Sequence, residues 1–184
     1  MAPHTEPMSD SKLETSFARR VPDGDNRERR VCDHCDFVHY ENPRVIVGAV
    51  CTWEDRFLLC RRAIDPRKGF WTLPAGFLEM GESAAEGAAR EAWEEARAKL
   101  EIDSLLAVYD VNHISQVQLI YRARLLTPDV SAGPESLEVE LVTWDQIPWE
   151  DLAFPTVAWA LNAHRRLDGC HDFQPDGNAT ATGP

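Results

Sequence analysis

Long hydrophobic runs are missing from this chain. Nothing approaches the ~18 consecutive apolar residues that a bilayer-crossing helix needs, so no membrane partner is expected. Positive charge is scarce too: 19 Lys and Arg stand against 31 Asp and Glu, a formal net charge of −12 over 184 residues. That excess repels phosphate backbones and anionic lipid surfaces, so no nucleic acid is expected as a partner either. Cysteine is sparse, five residues at 32, 35, 51, 60 and 170. The odd count disfavours a disulfide framework, and residues 1–10 lack the apolar stretch of a secretory leader, so a cytoplasmic location is expected. Cys51 and Cys60 sit in apolar runs, where a thiol acts as a small hydrophobe. What is present, 43% hydrophobic and 27% charged residues, suffices for one buried core and argues against wholesale disorder.

Residues 1–30 are polar, show no sustained apolar period and end in the basic cluster Arg27, Arg29 and Arg30; a mobile arm is expected there. Residues 169–184, rich in Gly, Pro, Asn and Thr, are expected to form a flexible tail. Between them, the β-branched run 45–51 reads as a buried strand, and Arg56–Arg62 follows the break at Glu54 and Asp55 as its hairpin partner. Residues 102–111, 116–126 and 139–144 are further strand candidates. Ser83 and Glu86 form a capping box that opens an alanine-rich helix reaching Ala96. Pro155 opens a second helix, expected to run to Leu167. Interleaved strands and helices predict a mixed α/β layer structure.

Each helical residue advances ~100°, which gathers Glu91, Glu94 and Glu95 in one arc. Ala85, Ala89, Ala92, Trp93 and Ala96 fall on the opposite side as an expected packing face. Like charges at i, i+3 and i+4 repel, at about 0.2–0.5 kcal/mol per pair. A hard divalent cation reverses that cost, because carboxylate oxygens are its preferred ligands. A solvated acidic face, relieved by a Glu95–Lys99 pair, is the other reading of the same helix. Upstream, Pro74, Ala75, Gly76 and Phe77 lead into an acidic turn ending at Glu82, which is spaced to pair with Arg90. Gly76 permits close backbone approach; taken alone, the segment is also an ordinary glycine turn.

Together Gly76, Glu82, Arg90, Glu91, Glu94 and Glu95 resemble the Nudix hydrolase signature G-x5-E-x7-R-E-U-x-E-E-x-G-U, where U is aliphatic. Both U positions hold alanine, and Arg97 stands where the signature has glycine, which puts the shape of the helix exit in question. Residues 39–43, 69–76, 133–138 and 147–154 extend the resemblance over roughly residues 30–167, to a branch that hydrolyses ADP-ribose, FAD and NADH. The resemblance implies a Nudix α/β/α sandwich with a mixed β-sheet, an α/β fold, over residues 44–168. It implies Mg2+ or Mn2+ held by Glu91, Glu94 and Glu95 with a carbonyl near Gly76, Glu94 and Glu95 being catalytic. Glu82 and Arg90 would be the supporting pair. A further loop carboxylate acts as base or extra ligand in many members; Glu138 is the candidate, with Glu135 and Glu140 as rivals and a solvent-facing acid as the plain alternative.

Phe77 and Tyr40 are candidates to stack on a substrate ring, although strand aromatics also serve cores; His113 and Gln116 are placed to approach the pocket. The implied reaction is hydrolysis of the diphosphate bond in an ADP-linked small molecule, releasing AMP and a phosphate ester. A sensor that binds such a nucleotide without cleaving it is the alternative. Homodimers are common in the branch, so a second copy is an expected partner. Finally, Cys32 and Cys35 supply half of a zinc ribbon's ligands. Relatives in the branch often carry a second Cys-x-x-Cys upstream, but residues 17–26 hold no cysteine; His34 or His39 would have to substitute. Residues 31–43 are therefore expected to be a degenerate ribbon-like segment, with Zn2+ disfavoured.

Overall fold

Residues 16–178 are described by the computed structural model, and a boundary after Asn42 separates two units, Met1–Asn42 and Pro43–Pro184. In the first, β1 (Phe17–Arg20), β2 (Arg29–Cys32) and β3 (Val38–His39) form an antiparallel sheet with β2 central. Few apolar groups hold it. Val31 and Cys32 are buried, while Arg30 lies 5.3 Å from the Phe17 ring and Arg29 5.3 Å from the Tyr40 ring. Asp25 closes the β1–β2 turn, accepting from the Asn26 N–H at 2.7 Å and from Arg29 Nε at 2.9 Å.

The expected mobile arm is therefore corrected over residues 17–30. Its arginines are cation–π and ion-pair partners, which no apolar period reveals. Residues 1–15 of that arm lie outside the described residues. The expected division after residue 30 falls inside β2.

The second unit is built on β4 (Arg44–Trp53), β5 (Arg56–Arg62), β6 (Trp71–Thr72), β7 (Ala75–Phe77), α1 (Ala84–Ala96), β8 (Leu100–Val111), β9 (Gln116–Leu125), β10 (Ser136–Thr143), α2 (Pro155–Arg166) and β11 (Asp176–Gly177). The main sheet runs β10-β5-β4-β9-β8-β11, with β6 added to β5 and β7 to β4. β4 with β9 and β8 with β11 are parallel and the other pairs antiparallel, so the sheet is mixed. Strand alternation sends Val50 and Leu59 into one apolar cluster with Leu161 of α2, and Ala49, Cys51 and Leu58 into the other with Ala92 of α1. One helix thus covers each face, giving the α/β/α sandwich. Each fully buried leucine contributes about 1.5–3 kcal/mol.

The expected flexible tail is also corrected, for residues 169–178. Asn178 donates to the Asp110 carbonyl at 2.6 Å and accepts from its N–H at 2.8 Å, beside the β11–β8 pairing. Arg122 donates to the Leu167 and Cys170 carbonyls and lies 4.8 Å from the Phe173 ring. Most of these contacts are to backbone, so composition carried no trace of them. Residues 179–184 lie outside the described residues.

Helix α1 begins as expected: the Ser83 side chain accepts from the Glu86 N–H while Glu86 accepts from the Ser83 N–H. Its packing face is different. The buried arc holds Gly87, Ala88, Glu91, Ala92, Glu95 and Ala96, while Trp93 is exposed. The apolar side expected at Ala85, Ala89 and Trp93 is thus rotated toward the glutamates. Arg97 takes the left-handed conformation (φ 53°) that a glycine would adopt without strain, and its N–H reaches the Ala92 and Trp93 carbonyls. The exit keeps its shape despite the side chain.

Arg97→Gly removes that backbone strain and should raise stability by about 0.5–1 kcal/mol, a rise in melting temperature of about 1–3 °C. A fall would mean that the stacking of Arg97 on Trp93, 5.6 Å from its ring, outweighs the strain.

Candidate active site

Three backbone segments converge on the exposed end of α1. β7 crosses its glutamates so closely that a Cβ on Gly76 would overlap the Glu91 carboxylate. Behind it, Arg90 braces the preceding loop. Its Nε and Nη2 donate to both oxygens of Glu82 at 3.0 and 2.9 Å, and Nη2 also reaches the Phe77 carbonyl at 2.9 Å. Arg90 and the Glu79 N–H hold the Glu82 carboxyl down at about 2. The third segment is the loop before β10. The Ser131 and Gly133 N–H groups cap the open carbonyls of Ala96 and Glu95, both at 2.9 Å, and only glycine fits at 133 because a Cβ would collide with the Glu94 carbonyl. This docking carries Glu135 to the glutamates.

Glu91 and Glu95 are 8% and 6% exposed. Burial pushes the Glu95 carboxyl up to about 8, helped by the neighbouring charge of Glu91; burial raises Glu91 as well. One oxygen of Glu95, Oε2, is buried with no hydrogen-bond partner. Glu94 is exposed, and Arg90 Nη1 donates to it at 3.1 Å and to Glu91 at 2.7 Å. The Glu95–Lys99 pair considered from sequence is not made: Glu95 is buried and Lys99 exposed.

A hard divalent cation fits this donor set. An orphaned carboxylate oxygen, a buried like-charged pair and a backbone approach that admits no Cβ suit a cation, since Arg62 offsets the charge of Glu95 only in part. Among the described residues, no three acidic, histidine or cysteine side chains converge on one point in this conformation. Arg90 draws Glu91 and Glu94 toward itself, so ligation requires those two to turn.

The glutamates line one side of a cavity of about 840 Å³ that also meets Gly76, Phe77, Arg90 and Glu135. Glu138 is outside it. Its carboxylate pairs with Arg61 at 2.9 Å across the β10–β5 ladder, whereas Glu135, its rival from the sequence, lines the cavity. The signal for Glu135 was the glycine two residues before it, marking a loop that must touch the helix end. Missed were Gln118 and Phe154, which line the cavity from β9 and the start of α2. Phe77 is there too, half-exposed beneath Arg44. Tyr40 belongs to the first unit and is exposed.

Cys32 and Cys35 form a knuckle in the first unit, Cys32 buried and Cys35 exposed. The His34 and Cys35 N–H groups lower the Cys32 thiol pKa. A closed zinc site takes four ligands, and the two thiols have no third partner within reach among the described residues. Among the described residues, Cys32 and Cys35 alone do not complete a structural zinc site.

A family model described as NUDIX domain matches residues 42–166, and one described as Nudix N-terminal, a zinc ribbon, matches residues 15–41. The crystal structure of a NUDIX hydrolase from Nitrosomonas europaea superposes with a TM-score of 0.82 at 46% identity, covering 91% of this chain and 96% of that one. A MutT-like protein of Streptomyces ambofaciens is 34% identical over 102 residues, 55% of this chain and 64% of its own length. An ADP-ribose pyrophosphatase of Methanocaldococcus jannaschii is 29% identical over 115 residues, 59% of this chain and 67% of its own length. The chain therefore spans about two thirds of these two curated relatives.

Because folding raises the Glu95 pKa, the native state keeps a proton that the unfolded chain has released. Metal-free stability should then fall as pH rises from about 4.5 to about 8, and Glu95→Gln should flatten that part of the melting-temperature profile. A profile that is flat in the unaltered protein contradicts the burial. For the knuckle, metal analysis of the purified protein should find far less than one zinc per chain, and a chelator should leave the melting temperature unchanged.

Proposed function

This chain belongs to the Nudix hydrolase family, and on that basis we propose that it is a metal-dependent pyrophosphohydrolase acting on a nucleoside-diphosphate-linked compound such as ADP-ribose, FAD or NADH. Water adds to one phosphorus, the P–O–P bond breaks, and AMP and a phosphate ester leave. Members of the family generally need a divalent metal. A protein of net charge −12 would otherwise repel the diphosphate. When bound, Mg2+ or Mn2+ neutralises diphosphate charge, polarises phosphorus and lowers the pKa of a coordinated water.

The chain's own residues divide the remaining tasks. Glu91, Glu94 and Glu95, with the Gly76 carbonyl, hold the cation. Arg90 holds the first two carboxylates while no cation is bound and gives them up to it, and its bonds to Glu82 and the Phe77 carbonyl brace the loop that carries Phe77. Glu135, on the cavity wall and near enough to Glu91 and Glu95 for its charge to act on both, takes the proton from the attacking water. Phe77 offers a ring to the base. The observation that carries this reading is the partnerless Oε2 of Glu95, buried beside Glu91 and on the cavity wall.

Phosphate release from ADP-ribose, FAD and NADH, with a phosphatase added to free the monoester, should require Mg2+ or Mn2+. Glu95→Gln should lower kcat at least about 100-fold and Glu135→Gln by a similar factor, while Glu138→Gln stays within about twofold. Metal-independent nucleotide binding without turnover would instead make the protein a sensor.

A further inference from the structure

One wall of the cavity is unlike the acidic one. β9 alternates its side chains, so Gln116, Gln118 and Ile120 point into the cavity, where Ile46, Val111 and Ile114 complete an aliphatic lining. Both glutamines are half-buried, and among the described residues neither side-chain amide makes a hydrogen bond. An amide sealed from water without a partner costs about 1–3 kcal/mol. A molecule filling this end must therefore answer the amides with its own donors and acceptors. Phosphate is the wrong answer, since it belongs with the cation at the glutamates.

Strand register defines what does fit. Ile46 of β4 pairs with Phe77 of β7 on one side and with Gln118 of β9 on the other, so the three side chains form one row on the same face. Strands lie about 4.8 Å apart, which separates Phe77 from Gln118 by roughly 10 Å. A flat bicyclic base lying on Ile46 fills that gap, with one edge at Gln118 and the opposite edge against Phe77. Gln116 pairs with Arg44, the residue whose guanidinium stacks 5.6 Å from the Phe77 ring.

We propose that Gln118, assisted by Gln116, reads the edge of the substrate's base and selects adenine. The inference rests on the cavity being the nucleotide site of the proposed hydrolase. A carboxamide offers one donor and one acceptor side by side. Adenine presents their complement, the N6 amino donor next to the N7 acceptor, whereas a 6-oxo purine presents two acceptors and leaves the amide oxygen facing O6.

Calorimetric titration of the full chain with AMP and with IMP, which differ in this edge, measures the selection directly. The unaltered protein should bind AMP about tenfold more tightly than IMP. Gln118→Met, which keeps length and removes donor and acceptor, should cut that ratio to about twofold or less, and Gln116→Met should reduce it partially. A ratio near one in the unaltered protein, no binding of AMP, or a ratio that survives in Gln118→Met overturns the proposal. Equal weakening of both nucleotides also overturns it, because the amides would then be holding the sugar. Equal hydrolysis of ADP-ribose and its hypoxanthine counterpart sinks the base selection and leaves the hydrolase reading standing. AMP selectivity without hydrolysis of any dinucleotide does the reverse.

Discussion

Two carboxylates four residues apart on one helix, Glu91 and Glu95, are buried side by side against a strand that comes too close for any side chain at residue 76. Left ionised and alone, such a pair is costly, because burial removes the water that screens each charge from the other. Arg90 relieves only part of the cost. It bonds Glu91 and Glu94 but not Glu95, whose Oε2 stays unsatisfied and whose carboxyl keeps its proton near neutrality. The fold accepts this strain because the rest of the second unit over-determines it: two apolar clusters, one on each face of a single mixed sheet, hold α1 and β7 in register.

The same packing gives the cavity two unlike ends. Acidic groups at the end of α1 meet Glu135, which reaches them only because the 131–133 backbone satisfies the helix's open carbonyls. At the other end, β4, β7 and β9 lay an aromatic ring, an aliphatic floor and two amides in adjacent rows. A cation and a diphosphate suit the first end, a flat base the second. The distance between them is set by strand spacing and not by any flexible loop.

Much of this was legible in the residues. The capping box at Ser83, the strands flanking it and the spacing from Gly76 to Glu95 need only local rules, and α1, β4, β5 and α2 stand where periodicity put them. What escaped was set by tertiary pairing. The polar strand β1 is held by Arg30 stacking on Phe17, and β11 by an asparagine bonded to backbone; neither leaves an apolar pattern. Glu138 was preferred over Glu135 because both lie in one acidic stretch, and only the register of β10 on β5 turns Glu138 toward Arg61. The burial of Glu91 and Glu95 escaped for a related reason: a helical wheel places charges together but does not say which arc the sheet will cover.

The central claim is that these buried carboxylates form a cage for a hard cation, and manganese tests it most directly. Crystals soaked in Mn2+ and measured by anomalous scattering should show an ion bound between Glu91 and Glu95 beside the Gly76 carbonyl, with Arg90 withdrawn from Glu91. Manganese absent from those side chains, or seated elsewhere while a dinucleotide is cleaved at full rate, would contradict the account.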